Sequence, residues 1–239
     1  MDWEAFSTLH DGLDREGPGC ADDVRWAVGM AGTHGEARVL DAGCGPGADT
    51  ETLAHELPEA WIDAVDLHAP FAAATAARCS RFGPRVKAWQ GDMAKVAGPY
   101  DLIWCAGAMY FLGVTEGLGA FRGMLTRAGR VAFSEPVLLS DKEPPEVHAF
   151  WSDYPQITDR AGVEDRIAAA GYRTLGTRLV IGAPWEAYYA PLERRIADLR
   201  SAGPSSALDA ALKREEAEIA AWRAAPDRIA YLLSVVEPA

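Results

Sequence analysis

The stretch VLDAGCGPG, residues 39–47, places three alternating glycines directly after an apolar run that ends in an acid, Asp41. Glycine lacks a Cβ, so a loop of this composition turns tightly and lets the backbone approach a ligand. If a helix begins just after the loop, its free N–H groups point at the same ligand. A carboxylate repels a pyrophosphate and attracts a cation, so Asp41 predicts a nucleotide-like ligand that carries positive charge. A glycine-rich strand–helix turn without a ligand is the alternative for this motif alone.

Strands and helices alternate along the chain, which predicts βαβ units in a parallel sheet. Apolar runs predict seven strands, at 37–43, 61–67, 85–92, 100–107, 129–139, 173–182 and 227–238. Helical patterns lie at 48–57, 69–82, 116–126, 160–172 and 185–224, the last broken at 201–206. We therefore predict an α/β fold with a doubly wound, seven-stranded, mostly parallel sheet, N-terminal helices and a helical insertion before the last strand.

The insertion has apolar residues at helical spacing, which predicts core contacts between two helices and the sheet. These residues are Leu192, Ile196 and Leu199, then Leu208, Leu212, Ile219 and Trp222. Glu215 and Glu216 are predicted on the opposite face of the second helix. Pro191 suits the first turn of a helix, so it predicts a helix start.

Charge and composition exclude several classes of partner. The 239 residues carry a formal net charge of −12, whereas a nucleic-acid-binding protein needs a basic surface and an acidic membrane surface would repel this chain. No run of about 18 apolar residues exists to cross a bilayer, and residues 1–10 do not resemble a signal peptide. The four cysteines are far apart and lack zinc spacing, so we expect reduced thiols in the cytoplasm.

Two further acids follow predicted strands, at the sheet edge where ligands of such folds bind. Asp66 ends the second strand, 23 residues after Gly43, and a carboxylate there accepts both hydroxyls of a ribose. Asp92 follows the third strand and suits the amino group of an adenine, with Met93 on the ring face. The alternatives are an ordinary solvated acid at 66 and a polar turn at 92.

These motifs together resemble the class I S-adenosylmethionine-dependent methyltransferases. The resemblance covers residues 37–135: VLDAGCGPG, the acid at Asp66, GDM at 91–93, DLIW at 101–104 and GRVAFSE at 129–135. Outside that span, the chain is similar to a bacterial small-molecule subgroup whose members mostly have no assigned substrate. The segments that carry this second similarity are REGPG at 15–19, FWSDYP at 150–155 and WEAYYAPLERR at 185–195.

The resemblance implies S-adenosyl-L-methionine as the cofactor, whose sulfonium and amino groups are positive and match Asp41. It implies a cofactor-binding set of Asp41, Gly43, Cys44, Gly45, Gly47, Thr50, Asp66, Leu67, Asp92, Met93 and Ala106. The sequence AGAMYF at 106–111 lacks the Asn/Asp-Pro-Pro-aromatic motif of base-amine methyltransferases. It also lacks the clustered acids of metal-dependent members, so we expect no metal.

The resemblance also implies one domain, 1–239, in three parts. Residues 1–32 form an N-terminal helical cover, 33–140 the cofactor-binding core, and 141–239 the substrate-side elements with the insertion at 183–226. Whether the insertion is a lid or a dimer interface stays open, as does the oligomeric state. In the lid hypothesis an aromatic cluster of Trp185, Tyr188 and Tyr189 touches the acceptor.

We expect methyl transfer to a small-molecule acceptor, which leaves S-adenosylhomocysteine. Tyr110 and Glu135 follow the fourth and fifth strands and are the leading catalytic candidates, with a pocket-wall or structural role as the alternative. The other candidate bases are His68, His148, Asp153 and Tyr154, and Trp151 and Tyr154 are candidate walls of the substrate site. Whether O, N, S or C is attacked stays open, as does the need for a base.

Three other functions remain as alternatives. An NAD-dependent enzyme favours a G-x-G-x-x-G loop without the preceding acid, which GCGPG after Asp41 does not match. A non-catalytic sensor or scaffold that binds S-adenosylmethionine needs the same fold, because fold does not imply function. A methyltransferase that acts on RNA or protein is the third.

Overall fold

The computed structural model of the chain describes residues 2–140 and 154–239, and all structural statements concern these ranges. Its seven strands are β1 Arg38–Ala42, β2 Trp61–Asp66, β3 Val86–Gln90, β4 Tyr100–Cys105, β5 Leu125–Leu138, β6 Tyr172–Val180 and β7 Ile229–Pro238. The α-helices of the described ranges are α1 Trp3–His10, α2 Ala21–Ala31, α3 Ala48–Glu56, α4 Ala69–Arg78, α5 Val114–Arg122, α6 Arg160–Ala169, α7 Ala183–Ser201 and α8 Ser206–Ala224. Three 3₁₀ segments lie at Ser80–Arg85, Met93–Lys95 and Met109–Phe111.

The seven strands form one sheet in the order β3-β2-β1-β4-β5-β7-β6. Strands β1 to β5 are paired in parallel, while β7 lies antiparallel between β5 and β6. The helices α7 and α8 connect β6 to β7. The predicted seven-stranded, mostly parallel sheet with an insertion before its last strand is therefore confirmed.

The position of β1 fixes where a ligand binds. Strand β1 pairs with β2 on one side and with β4 on the other, so the strand order reverses here. Its residues from Val39 onward are buried, as expected for a central parallel strand covered on both faces. In doubly wound folds the crevice for ligands opens at the carboxyl ends of the strands at this switch point.

Two apolar clusters fill the two faces of the sheet. One joins α1, α2, α3 and the α7–α8 hairpin to one face. The other joins α5 and α6 to the opposite face, around Phe121, Phe133 and Ile167. Because helices cover both faces of the sheet, the side chains that the parallel strands direct to either face are shielded from water.

The α7–α8 hairpin belongs to the main core. Trp185 is 2% exposed, stacks on Trp222 with ring centroids 5.8 Å apart, and donates from Nε1 to the carbonyl oxygen of Val180 at 3.0 Å. Tyr231 of β7 packs against the same indole at 5.6 Å. The expected core contacts of the insertion are therefore present, and its aromatic residues tie it to the last two strands.

Several local predictions were wrong. Helix α7 begins at Ala183, with a proline at its start, and Pro191 lies in its interior, so Pro191 does not start a new helix. The helix predicted to reach residue 126 ends at Arg122, because Leu125 already pairs with Tyr100 of β4. The helix predicted to reach residue 82 ends at Arg78 and continues as a 3₁₀ segment.

Glu215 is a further correction. Its side chain is only 14% exposed, whereas that of Glu216 is 44% exposed. The two acids therefore do not share one face of α8. In the described ranges, no helix is both long and apolar enough to cross a membrane.

We predict that Leu212→Ala lowers the free energy of unfolding by about 2–5 kcal/mol, because Leu212 is fully buried and its loss leaves a cavity. The matched control is Leu179→Ala on β6, where the side chain is 42% exposed and the change should stay near ±0.5 kcal/mol. Urea unfolding of both variants measures the difference. Equal effects would show that the hairpin is not part of the core.

Candidate functional site

The glycine loop between β1 and α3 needs its glycines for two reasons. Gly43 has φ 82° and Gly47 has φ 91°, both in the left-handed region that strains other residues. A Cβ on Gly43 would come within 2.6 Å of Ala108 Cβ, and one on Gly47 within 2.7 Å of Thr75 Oγ1. The loop therefore forms a narrow backbone surface at the switch point, directly before the N-terminus of α3.

Asp41 lies beneath this loop and is 2% exposed. Thr50, from the first turn of α3, donates a 2.5 Å hydrogen bond from Oγ1 to Asp41 Oδ2. The pKa of Asp41 is raised to about 8, mainly by burial and in addition by the charges of Asp49 and Asp66, while the hydrogen bond from Thr50 acts to lower it. An anion at this place would meet repulsion, while a cation would stabilise the ionised carboxylate.

Asp66 links the end of β2 to the glycine loop. Its Oδ2 accepts from the backbone N–H of Gly45 at 2.9 Å, and its Oδ1 accepts from that of His68 at 2.8 Å. Burial raises the pKa of this half-buried carboxyl. Each carboxylate oxygen has a second lone pair, so Asp66 can still accept hydrogen bonds from a diol. Leu67, the next residue, is 71% exposed at the crevice edge.

Asp92 has local partners of its own. Its Oδ1 accepts from the backbone N–H of Ala94 at 2.9 Å, and Lys95 Nζ lies 2.8 Å from Oδ2. The bond from Lys95 lowers the pKa of Asp92. These contacts are those of a polar turn, the alternative weighed for this residue, so the adenine contact stays a prediction. Met93 does approach the loop, since its sulfur lies 3.8 Å from where a Cβ on Gly43 would sit.

The remaining predicted cofactor residues surround the same loop. Cys44 is 7% exposed, and burial raises the pKa of its thiol. The thiol is therefore unreactive, and Cys44 serves only as part of the loop's packing surface. Ala106 follows β4 and is partly buried against the core. Next to it, Gly107 donates its backbone N–H to Ser134 Oγ at 2.8 Å, which ties the ends of β4 and β5 together.

Glu135 is fully buried on β5. Its Oε1 accepts a short hydrogen bond from the hydroxyl of Tyr154, while its Oε2 has no hydrogen-bond partner among the described residues. Burial raises the pKa of Glu135 to about 7, against the opposing bond from Tyr154 and the charge of Arg166. A carboxyl with such a pKa can take up or release a proton near neutral pH.

Tyr110 lies beside this pair. Its ring centroid is 5.9 Å from that of Tyr154 and 4.3 Å from that of Phe111. Burial raises the pKa of Tyr110, and the charge of Glu135 raises it further. The structure thus brings together Tyr110, Glu135 and Tyr154, three of the candidates chosen from the sequence.

The other candidates are not brought to this place. His68 stacks on Trp3 with ring centroids 5.6 Å apart, and its Nε2 lies 3.1 Å from Ser7 Oγ, so it contacts α1. Tyr189 is 1% exposed within the main core, and Tyr188 is 7% exposed. Three candidates lie outside the described residues: His148, Trp151 and Asp153.

A buried polar group that the sequence did not reveal joins the N-terminal cover to α8. His10 Nδ1 lies 2.6 Å from Glu16 Oε2, and His10 Nε2 lies 4.0 Å from Glu215 Oε1. Burial acts to lower the pKa of His10, but the contact with Glu16 and the charges on α8 outweigh it and raise that pKa. Glu218 accepts from the hydroxyl of Tyr189 at 3.0 Å, and burial raises its pKa to about 7.

One sequence signal could have found this group. The apolar residues Leu208, Leu212, Ile219 and Trp222 recur at steps of four and three residues, and that rhythm places Glu215 in the same row. A single acid in an apolar row of a helix indicates a buried carboxyl group that needs a polar partner. No comparable pattern surrounds Glu16, which lies in a loop.

The N-terminal segment covers the glycine loop. The Cγ of Glu16 lies 3.5 Å from where a Cβ on Gly45 would sit. Arg15 donates from its guanidinium to Asp49 Oδ1 at 2.9 Å, and Asp49 also accepts from Trp104 Nε1 at 3.2 Å. The N-terminal segment thus contacts α3 through Asp49, which in turn is hydrogen-bonded to Trp104 of β4.

Known proteins resemble this chain in sequence and in fold. Residues 39–129 match the sequence model of a family described as "Methyltransferase domain". The chain is 34% identical over 146 residues to an uncharacterised protein of Synechococcus sp., a match that covers 53% of this chain and 35% of that protein. It is also 33% identical over 76 residues to trans-aconitate 2-methyltransferase of Deinococcus radiodurans. This match covers 32% of this chain and 28% of the enzyme. The chain therefore spans about a third of the length of these curated relatives.

Three solved structures share the fold across nearly the whole chain. Two are S-adenosylmethionine-dependent methyltransferases in complex with S-adenosyl-L-homocysteine, from Geobacter sulfurreducens and Thiobacillus denitrificans. Both have a TM-score of 0.85, with 16% and 18% identity and at least 98% of each chain covered. The third is the [4+2]-cyclase SpnF, with a TM-score of 0.78, 14% identity, and 99% of this chain and 92% of that chain covered. Residues 39–129 thus resemble a methyltransferase domain, and the chain has the fold of the class I S-adenosylmethionine-dependent methyltransferases.

Proposed function

We propose that the protein transfers a methyl group from S-adenosylmethionine to a small-molecule acceptor and leaves S-adenosylhomocysteine. The observation that carries this proposal is the glycine loop at the switch point with buried Asp41 beneath it and Asp66 hydrogen-bonded to it. The exposed loop backbone lies between two carboxylates. These carboxylates attract the cationic group of a nucleoside such as S-adenosylmethionine and would repel a phosphate.

The residues present fit this cofactor. The positions of Gly43 and Gly47 leave no room for a Cβ, so the loop backbone is the contact surface. Asp41 would hold the positive methionine end, and Asp66 would hold the ribose. The cofactor supplies an already activated methyl group, so the protein mainly aligns the acceptor and excludes water. Such alignment is worth up to about 7–11 kcal/mol.

The acceptor side would be formed by Tyr110 and Glu135. Glu135 Oε2 is buried and free of a hydrogen-bond partner among the described residues, so it can accept one from an acceptor. The hydroxyl of Tyr154 holds the other carboxylate oxygen and so fixes the side chain. The full burial of Glu135 supports a dry site, which favours a reaction that must avoid hydrolysis.

A small acceptor agrees with the burial of this site and with the net charge of −12, which disfavours nucleic acid. Free thiols at Cys20, Cys44, Cys79 and Cys105 agree with a reducing compartment, and we place the protein in the cytoplasm. The rival function is a non-catalytic S-adenosylmethionine-binding protein. The fold is shared with a [4+2]-cyclase, so the fold alone does not establish methyl transfer.

The first prediction is that S-adenosylhomocysteine stabilises the protein and NAD does not. A ligand that binds only the folded state adds about 2.7 kcal/mol at a hundredfold excess over Kd. A thermal shift assay with each ligand measures this. The control is Asp66→Ala, which should bind S-adenosylhomocysteine more weakly with the unliganded melting temperature little changed. A shift with NAD alone would refute the proposal, and the absence of methyl transfer to any acceptor would favour the non-catalytic rival.

The second prediction concerns pH. The ammonium group of S-adenosylhomocysteine favours ionised Asp41, so binding should release a proton while the pKa of Asp41 is about 8 in the free protein. Affinity should therefore fall as pH drops from 8 to 6, by up to about tenfold per unit, and level off above 8. Calorimetry across this range measures the slope. The control is Asp41→Asn, which has no proton to release; an equal slope in that variant would exclude Asp41 as the titrating group.

The third prediction separates the acceptor side from the cofactor side. Once an acceptor is known, Tyr110→Phe and Glu135→Gln should each lower the transfer rate by about tenfold or more, because each removes a polar group at the acceptor. Affinity for S-adenosylhomocysteine should stay within about twofold of the parent value. The matched control is Glu164→Gln, an exposed acid of α6 paired with Arg160, which should change neither. Equal loss of cofactor affinity would place these residues at the cofactor or in the fold.

A further inference from the structure

The segment REGPG, residues 15–19, has no role in the proposed function, yet it contacts the glycine loop. The Cγ of Glu16 lies 3.5 Å and its Cβ 3.9 Å from where a Cβ on Gly45 would sit. Gly45 in turn donates its backbone N–H to Asp66, the carboxylate proposed to hold the ribose. The segment therefore brings a further carboxylate to the loop that forms the proposed cofactor site.

Arg15 anchors this segment to the helix that follows the loop. Its guanidinium donates to Asp49 Oδ1 at 2.9 Å, in the first turn of α3, and both side chains are 17% exposed. The same guanidinium donates to the carbonyl oxygen of Gly17 at 3.5 Å. A Cβ on Gly19 would come within 2.6 Å of Arg15 Nη1, so a glycine at 19 leaves room for the guanidinium. The residues of the motif thus hold the segment against α3.

His10 holds one oxygen of Glu16 and leaves the other without a partner. His10 Nδ1 lies 2.6 Å from Glu16 Oε2, and the imidazole is 4% exposed and stacks on Phe6 with ring centroids 4.1 Å apart. Glu16 Oε1 is buried and has no hydrogen-bond partner among the described residues. Buried polar atoms are almost always hydrogen-bonded, so this oxygen calls for an explanation.

The contact with His10 compensates the buried carboxylate only in part. Burial raises the pKa of Glu16, the contact with His10 acts to lower it, and the charges of Glu215 and Asp66 add to the rise. A buried carboxylate is costly unless it is paired and hydrogen-bonded. A cationic ligand group beside Glu16 Oε1 would supply both the counter-charge and the hydrogen bond.

The proposed cofactor carries a suitable group, because its amino-acid end has an ammonium with three N–H donors. Asp41 lies beneath the loop, and its Oδ2 already accepts from Thr50. Asp66 already accepts from two backbone N–H groups. Glu16 reaches the loop from the N-terminal segment with an oxygen that has no such donor, so it can accept from an ammonium group directly.

We propose that Glu16 is a further cofactor ligand, which accepts a hydrogen bond from the ammonium group of S-adenosylmethionine at the glycine loop. This inference rests on the proposed methyltransferase function and adds a residue to its cofactor site. The N-terminal segment then takes part in recognition of the cofactor, in addition to covering the loop. Because a carboxylate attracts the ammonium group and repels the carboxylate of the same amino acid, Glu16 distinguishes the two charged groups.

The test measures by calorimetry the affinity of the full chain for three nucleosides that share the adenosine and the thioether. S-adenosylhomocysteine has both charged groups, its decarboxylated analogue keeps only the ammonium, and its deaminated analogue keeps only the carboxylate. Glu16→Gln should weaken binding of the first two by about tenfold, because it removes a hydrogen bond between charged groups. Binding of the deaminated analogue should weaken by no more than about twofold.

The matched control is Glu4→Gln, since Glu4 is an exposed acid of α1 and its loss should leave all three affinities unchanged. Unchanged binding of S-adenosylhomocysteine by Glu16→Gln would remove Glu16 from the site. Weakening of the deaminated analogue as large as that of S-adenosylhomocysteine would assign Glu16 to the fold or to the nucleoside half, and either result overturns the inference. Failure of the parent protein to bind S-adenosylhomocysteine would instead refute the proposed function, so the two failures are separate observations.

Discussion

The burial of Asp41 at the switch point is the constraint around which the candidate site is built. Its carboxyl accepts from Thr50 at 2.5 Å and lies under a glycine loop that admits no side chains at 43 and 47. Burial raises its pKa to about 8, so the folded protein holds this group ready for a positive partner. The bond from Gly45 to Asp66 then fixes the loop against β2. Near pH 7 the Asp41 carboxyl of the free protein is therefore mostly protonated, and a cationic ligand would favour its ionised form.

The chain outside the sheet also contacts the glycine loop. The segment after α1 brings Glu16 to this loop, and α8 brings Glu215 to within 4.0 Å of His10, which contacts Glu16. The α7–α8 hairpin is held by the stacked indoles of Trp185 and Trp222. Because the hairpin shares the main core with β6 and β7, its acids are positioned by packing and not by loop conformation. Rigid elements hold polar groups more precisely than mobile loops do.

Much of the fold could be predicted from local pattern. The apolar runs predicted all seven strands, and the alternation with helices predicted the parallel sheet, since these signals depend on neighbours in sequence. Boundaries failed where a tertiary contact decided them. Leu125 continues a helical spacing but pairs with Tyr100 across the sheet, and Pro191 fits inside a helix that begins eight residues earlier. Glu215 was wrongly predicted opposite the apolar row, although steps of four and three residues from Leu208 place it within that row.

The sequence by itself determined the loop VLDAGCGPG, the acids at the ends of the first two strands and the family resemblance, because each depends on residues adjacent in the chain. Tertiary structure decided which distant groups meet. It brought His10 to Glu16 and Glu215, and Tyr154 to Glu135. The pKa values of these acids depend on burial, which arises only when the cover, sheet and hairpin pack together. The proton affinity of Glu135 is therefore a property of the fold, while the glycine loop is determined by one short sequence motif.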